Sequence, residues 1–405
     1  MLPTVLSGVM GASLLANPQP TAPPVKAASA LVMDADTGRI LWGRNVDTAR
    51  YPASTTKIMT AILFVEAVTP NEVLIAPPTV TQVKGSSLHL KPGEQVSAHD
   101  LLMGMMLRSA NDACHTVAVT LAGSEAKFAA EMTRRARELG ATNTTFLNPH
   151  GLPNENRPGG DTHLSTARDL ALIARVAMSY PPIAEAARTP EVTIKRSMNQ
   201  LDTLIKNTNR LLESDPSTLG IKTGTTRAAG RCFVGMNERG GVRLITVILK
   251  SPDWKVDQVG LVDWSYKQFQ RRPLVSAQDV VGEATVTNGK AERVTLLATK
   301  TIEEVVSDHD MKQMRREFEV APITAPVRAG QPVGKLKLTL ADGTQHQVDL
   351  VAAQDVEAHP ANIAAWVVGS GGLTALGLVA LARYRRPRRH GTRTLRYAQT
   401  PTRSR

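Results

Sequence analysis

A serine placed three residues ahead of a lysine, where an apolar run begins, is the first arrangement in this chain that could do chemistry. Ser54-Thr55-Thr56-Lys57 opens the segment Ser54 to Val68, which carries Ile58, Met59, Ala61, Ile62, Leu63, Phe64 and Val65. On a helix, positions i and i+3 share a face, so Lys57 reaches the Ser54 hydroxyl. An amine walled in by apolar side chains gives up its proton more readily, and the neutral amine can take the serine's. The start of the helix also aims backbone N–H groups at a developing oxyanion. Spacing alone is weak, since about one Ser-x-x-Lys per 400 residues arises by chance. Ser124-Glu125-Ala126-Lys127 has the same spacing but opens a highly charged helix, where capping explains the serine. Two further triplets supply context. Ser109-Ala110-Asn111 follows the apolar stretch Leu101 to Leu107, where the chain can present a hydroxyl and an amide. Ser197-Met198-Asn199 imitates it from a polar stretch beside Lys195 and Arg196. Lys222-Thr223-Gly224-Thr225-Thr226 precedes a strand-like run; Gly224 lets a substrate backbone lie close, and the Lys222 charge suits a carboxylate.

These groups need a scaffold, and the pattern of elements points to an α/β sandwich with a helical insertion. Ala30 to Met33 and Arg39 to Trp42 read as a hairpin around Asp34 to Gly38. Ser54 to Val68 reads as a helix buried on most faces, and residues 98 to 180 as mainly helical, with Glu125 to Leu139 capped by Gly140. Strands resume with Arg231 to Met236 and Arg243 to Leu249 around Asn237 to Gly241, followed by a helix over Val256 to Phe269. Residues 275 to 355 read as a second, β-rich domain with turns at Asn288-Gly289 and Asp342-Gly343. No phosphate-binding glycine loop is evident.

The chain has 405 residues, 42% hydrophobic and 21% charged, the balance of a folded protein rather than a disordered one. Its net charge of +12 would suggest nucleic acid, but nine arginines and no acid lie between Arg383 and Arg405, so the excess belongs to a tail. Just before it, Ile363 to Ala382 is 20 residues without a charge, about 30 Å as a helix, enough to cross a bilayer. The flanking arginines would hold the tail in the cytoplasm and everything earlier outside. Leu2 to Ala16 resembles the apolar part of an export signal, without the basic start. The expected layout is therefore a signal-like segment and linker (1–27), a catalytic domain (28–272), a β-rich domain (275–355), a transmembrane helix (363–382) and a cytoplasmic tail (383–405). Cys114 and Cys232 match no zinc spacing and are expected as free, packed thiols.

The three motifs in this order are those shared by β-lactamases and penicillin-binding proteins. Tyr51 to Thr60, Arg108 to Cys114, Asn148-Pro149-His150-Gly151-Leu152, His163 to Asp169, Asn207 to Leu212 and Gly220 to Thr226 together resemble the low-molecular-mass penicillin-binding proteins that are serine-type D-alanyl-D-alanine carboxypeptidases. The resemblance is strong over about residues 28 to 270 and looser beyond. It implies that Ser54 attacks the penultimate D-Ala carbonyl of a peptidoglycan stem peptide, with Lys57 as base and Ser109 as proton relay. Asn111, Lys222, Thr223, Gly224 and Thr225 would bind substrate, the N–H groups of Ser54 and Thr225 forming the oxyanion hole. It implies no metal and no cofactor, and β-lactams as acylating inhibitors. An arginine that some members carry after the strand ending at Leu249 is replaced here by Lys250-Ser251-Pro252. His150 and His163 are expected to serve as structural hydrogen-bond partners. A β-lactamase is the rival reading, but Gly151 to Ser165 lacks the Glu-x-x-x-Asn pattern of its water-activating loop. A non-catalytic, membrane-tethered wall-binding protein is the other, disfavoured by the intact Ser54, Lys57 and Lys222.

Overall fold

A computed structural model describes residues 25–153 and 162–360. These divide into two compact units. One runs up to Pro273 and takes in Glu303–Met314; the other comprises Leu274–Ile302 and the chain from Arg315 on.

The first unit is built on an antiparallel sheet of five strands: β1 (Ser29–Asp34), β2 (Ile40–Arg44), β7 (Thr218–Thr226), β8 (Gly230–Arg239) and β9 (Val242–Ser251), in the order β2-β1-β9-β8-β7. Its central strands are apolar on both sides because both faces are covered. Along β1, Leu31 and Met33 enter one core, while Ala30 and Val32 enter the other. Successive strand side chains point to opposite faces, so one strand serves both. The first core is shared with α1 (Lys57–Ala67), α2 (Ala98–Met106), α3 (Asn111–Ala122), α4 (Glu125–Glu138), α5 (Ala167–Ala177) and α6 (Pro181–Arg188). The second packs Leu261 of α8 (Trp254–Gln268) with Phe269 and Trp42, Trp264 lying edge-on to both rings. Two small hairpins, β3 (Val73–Ile75) with β4 (Gln95–Ser97) and β5 (Glu191–Ile194) with β6 (Thr203–Lys206), and the short α7 (Leu211–Ser214), complete the helical side.

The expected elements are present with informative differences. The Ser54 to Val68 run is not one helix: Ala53–Thr56 forms a 3-10 turn and α1 starts only at Lys57. In a 3-10 turn, residues i and i+3 eclipse, which brings Ser54 and Lys57 closer in line than an α-helix does. The β8–β9 hairpin is longer than the sequence suggests. Its turn is Gly240-Gly241 alone, with φ of 58° and 75°, the two positive-φ positions that a tight hairpin demands. Residues 25–28 are already packed: Val25 and Ala27 are buried, and Lys26 N–H donates to Asp257 at 2.8 Å.

After β10 (Gln270–Val275) the chain enters the β-rich second unit. Its sheet contains β11 (Val280–Thr287), β12 (Arg293–Ala298), β14 (Arg315–Val320), β15 (Ile323–Thr324), β16 (Pro332–Thr339) and β17 (Gln345–Ala352), ordered β14-β16-β17-β12-β11-β15. Val294 and Leu296, Leu336 and Leu338, and Val348 and Leu350 alternate inward along their strands, the pattern of a sheet buried on one face. Between β12 and β14 the chain returns to the first unit as β13 (Ile302–Val306) and α9 (Asp308–Gln313). There the Arg39 guanidinium donates to the Val305 carbonyl at 2.7 Å and to Asp310 at 2.8 Å. No helix among the described residues is long and apolar enough to cross a membrane. The expected span 363–382, the tail 383–405 and the leader up to residue 24 lie outside the described residues.

Candidate active site

Lys57 is the hub. Its side chain is fully buried, and Nζ lies 3.0 Å from Ser54 Oγ, 2.7 Å from Asn111 Oδ1 and 2.9 Å from the His150 carbonyl. An ammonium would donate to all three oxygens. A neutral amine donates to Asn111 and His150 and turns its lone pair toward the Ser54 hydroxyl, which is the geometry a base needs. Burial pushes the Lys57 amine down to about 8. Burial, and after it the charge of Lys57, pushes the Lys222 amine down to about 7. Two buried amines in one site make a single shared charge cheaper than two.

Lys222 and Gly224 lie on β7, which is an edge strand of the sheet and so leaves backbone groups for an extended peptide. A side chain at Gly224 would meet Ser54 N at 3.0 Å, Pro52 O at 3.1 Å and Thr55 N at 3.1 Å, so strand and serine turn are in backbone contact. Thr223 Oγ1 pairs with Thr208 Oγ1 at 2.7 Å, and Lys222 Nζ donates to the Thr223 carbonyl at 3.2 Å. Thr225 follows Gly224 in the same strand and is exposed.

Ser109 sits in the bend between α2 and α3, and Asn111 is the first residue of α3. Ser109 is buried with a φ of 62°, a left-handed position costly for a residue with a side chain. Asn111 spends its amide on both sides, Oδ1 on Lys57 and Nδ2 on the Lys84 carbonyl at 2.7 Å, keeping one N–H and one lone pair for a ligand. Asp112 gathers the segment beside it, accepting from Ser87 Oγ at 2.6 Å and from the N–H groups of Leu88 and Leu90 at 3.0 Å.

The contribution of loop 148–152 is backbone chemistry that residue types do not announce. Besides the His150 carbonyl on Lys57, the Pro149 carbonyl accepts from Thr60 Oγ1 at 2.6 Å. Gly151 has a φ of 84°, and a side chain there would fall 1.9 Å from the Ala53 carbonyl, so the loop is pressed onto the turn that carries Ser54. A glycine in that motif is the one sequence signal of close approach. Thr208 and Asp112 are likewise partners that spacing did not single out.

The decoys behave as structural residues. Ser124 caps α4, accepting from Lys127 N–H at 3.3 Å, and Ser197 accepts from Gln95 N–H at 2.8 Å. His163 links Leu147 N–H at 3.1 Å to Thr56 Oγ1 at 2.8 Å. Cys114 and Cys232 are free and buried, and burial raises their thiols to about 12 and about 11, which leaves no thiolate to attack. No group of side chains among the described residues could hold a metal ion.

Comparisons with known proteins place the chain in a family. Residues 16–253 match the family described as D-alanyl-D-alanine carboxypeptidase, and residues 269–358 match the penicillin-binding protein 5 C-terminal domain. D-alanyl-D-alanine carboxypeptidase DacF of Bacillus subtilis is 32% identical over 323 residues, covering 77% of this chain and 81% of its own. DacC of Escherichia coli is 31% identical over 353 residues, covering 83% of this chain and 86% of its own. Among solved structures, penicillin-binding protein 5 from Haemophilus influenzae aligns with a TM-score of 0.62 at 27% identity, covering 83% of this chain and 99% of its own. A site that couples Ser54, Lys57, Asn111 and the Gly224 strand, on this fold and with these relatives, shows that the chain belongs to the D-alanyl-D-alanine carboxypeptidase family of low-molecular-mass penicillin-binding proteins.

Proposed function

We propose that the chain is a serine-type carboxypeptidase that removes the terminal D-Ala from peptidoglycan stem pentapeptides through an acyl-enzyme on Ser54. The observation that carries this reading is the Lys57 amine, dry and 3.0 Å from the Ser54 hydroxyl. The substrate backbone lies along β7, its terminal carboxylate toward Lys222 and the threonine hydroxyls. That carboxylate favours charge on Lys222, which in turn favours a neutral Lys57. Lys57 then takes the Ser54 proton as Oγ bonds to the penultimate D-Ala carbonyl carbon. The N–H groups of Ser54 and Thr225 receive the oxyanion. The bond to the terminal D-Ala breaks, its amine gaining a proton through Ser109, and water hydrolyses the ester that remains. Penicillins enter the same path and stay as the acyl-enzyme.

The uncharged run 363–382 and its arginine flank support a membrane anchor, with the catalytic unit outside the cell and the tail in the cytoplasm. The apolar segment at the start supports export. D-Ala release from a defined pentapeptide by the full chain tests the activity, and covalent labelling by a fluorescent penicillin tests the nucleophile: Ser54→Ala is expected to abolish both. Rapid lactam hydrolysis without D-Ala release would favour a β-lactamase; no label in the unsubstituted protein would favour a pure wall binder.

A further inference from the structure

Beside the reacting groups, three ionisable side chains from different elements converge. His115 of α3 donates from Nδ1 to Glu125 Oε1 of α4 at 2.7 Å, and His150 Nε2 faces the same oxygen at 3.5 Å. The far nitrogen of each ring is also engaged. His115 Nε2 lies 2.8 Å from Thr79 Oγ1, and His150 Nδ1 accepts the Leu152 N–H at 3.2 Å. A ring nitrogen that accepts from an amide carries no proton, so neutral His150 must hold its hydrogen on Nε2, aimed at Glu125. His115 is not so constrained, because the hydroxyl opposite it can donate or accept. Burial alone would raise the Glu125 carboxyl, but the two imidazoles outweigh it and hold it down at about 2. The cluster borders a cavity of about 310 Å³ that Lys84 also lines.

His150 links this cluster to the chemistry. Its carbonyl is one of the three oxygens on Lys57 Nζ, and its neighbour Gly151 rests on the Ser54 turn. Asn148 shapes the loop from within, accepting from Gly151 N–H at 2.7 Å, but Glu125 is the charged contact that ties the His150 ring to the helical core. Taking Lys57 as the base that serves Ser54, we propose that Glu125 is a positioning residue for acylation: by anchoring the His150 ring from α4, it fixes where the His150 carbonyl stands and hence where the Lys57 amine points.

The amide and the methyl variants of Glu125 separate this role from a merely structural one. In the full chain, Glu125→Ala removes both contacts and is expected to slow penicillin acylation of Ser54 about tenfold. Glu125→Gln can keep an oxygen at the position that both rings face, still accepting from His115 Nδ1 and His150 Nε2, with its NH2 in place of the other carboxylate oxygen. That variant is expected to acylate within about twofold of the unsubstituted protein. Both variants lose the negative charge at the start of α4, so a purely structural contribution would lower their melting temperatures together without separating their rates. Nitrogen-15 spectra of the histidines give a second reading: His150 protonated on Nε2 and His115 on Nδ1 in both the unsubstituted and the Gln proteins. Equal rates for the unsubstituted and Ala proteins, equal slowing in both variants, or His150 carrying its hydrogen on Nδ1 would each overturn the proposal. The last needs no variant and so holds even where Glu125→Ala fails to fold. Label retained by Ser54→Ala would instead overturn the assignment of the nucleophile, which keeps the two failures apart.

Discussion

The two buried lysines place opposite demands on pH. In the proposed mechanism, losing a proton arms Lys57 as base, whereas losing one discharges the Lys222 that is to meet the carboxylate. With burial pushing Lys57 down to about 8 and Lys222 to about 7, the form of the free enzyme with a neutral Lys57 beside a charged Lys222 is most populated at about pH 7.5. It falls about sixfold by roughly pH 6 and again by roughly pH 9. An exposed lysine would be neutral in only about one molecule in a thousand at that optimum, against about one in four for Lys57, so burial multiplies the available base about 250-fold. The assay is the second-order rate of labelling by a fluorescent penicillin across this range, alongside D-Ala release at saturating peptide. Labelling should trace a bell. At saturation the bound carboxylate raises the Lys222 amine, so the alkaline limb of D-Ala release should move to higher pH. A labelling rate flat from about pH 6 to 9, or one climbing steadily toward pH ~10.5, would show that these amines do not govern acylation.

Three substitutions test other parts of the argument. Gly224→Ala puts a methyl 3.0–3.1 Å from three backbone atoms around Ser54, so the strand or the turn must give by a few tenths of an ångström; acylation should drop about tenfold with little change in melting temperature, and an unchanged rate would mean that the contact is slack. Lys222→Met removes a buried amine whose folded-state pKa lies below its unfolded value. The charged amine destabilises the fold most fully below about pH 7, and the penalty shrinks as pH climbs toward ~10.5, so the variant should melt higher at acid pH while losing D-Ala release. Ser124→Ala should cost about 1 kcal/mol of stability through a lost cap and leave penicillin labelling intact, as read by denaturant melts and gel fluorescence.

Much of the scaffold was legible because its signals are local. The apolar runs, Gly140 after α4 and Ser124 before it, and the turn glycines each dictate backbone behaviour by their own chemistry. What escaped notice is cooperative. A 3-10 turn in place of the first turn of α1 depends on Ala53 and on loop 148–152 pressing against it, which lies about 95 residues away in sequence. The side chains proposed for the chemistry could be picked out from type and spacing, since a serine, a lysine and a glycine each bring a distinctive property. Their supports could not, because the His150 and Lys84 carbonyls are backbone groups that every residue owns. Asn111 shows the boundary: its type suggested a ligand for substrate, whereas its bonds chiefly hold the base and the neighbouring loop.

The return of Glu303–Met314 to the first unit bears on how the chain is made and how it can be cut. On the ribosome, the catalytic half remains unfinished until the helix capped by Ser307 has emerged, by which time part of the second unit has already been synthesised. A fragment stopped at Pro273 would strip the Arg39 guanidinium, only 6% exposed, of both the Val305 carbonyl and the Asp310 carboxylate. Surgical separation of the halves, or their exchange between relatives, therefore has to carry that short excursion along with the body it completes.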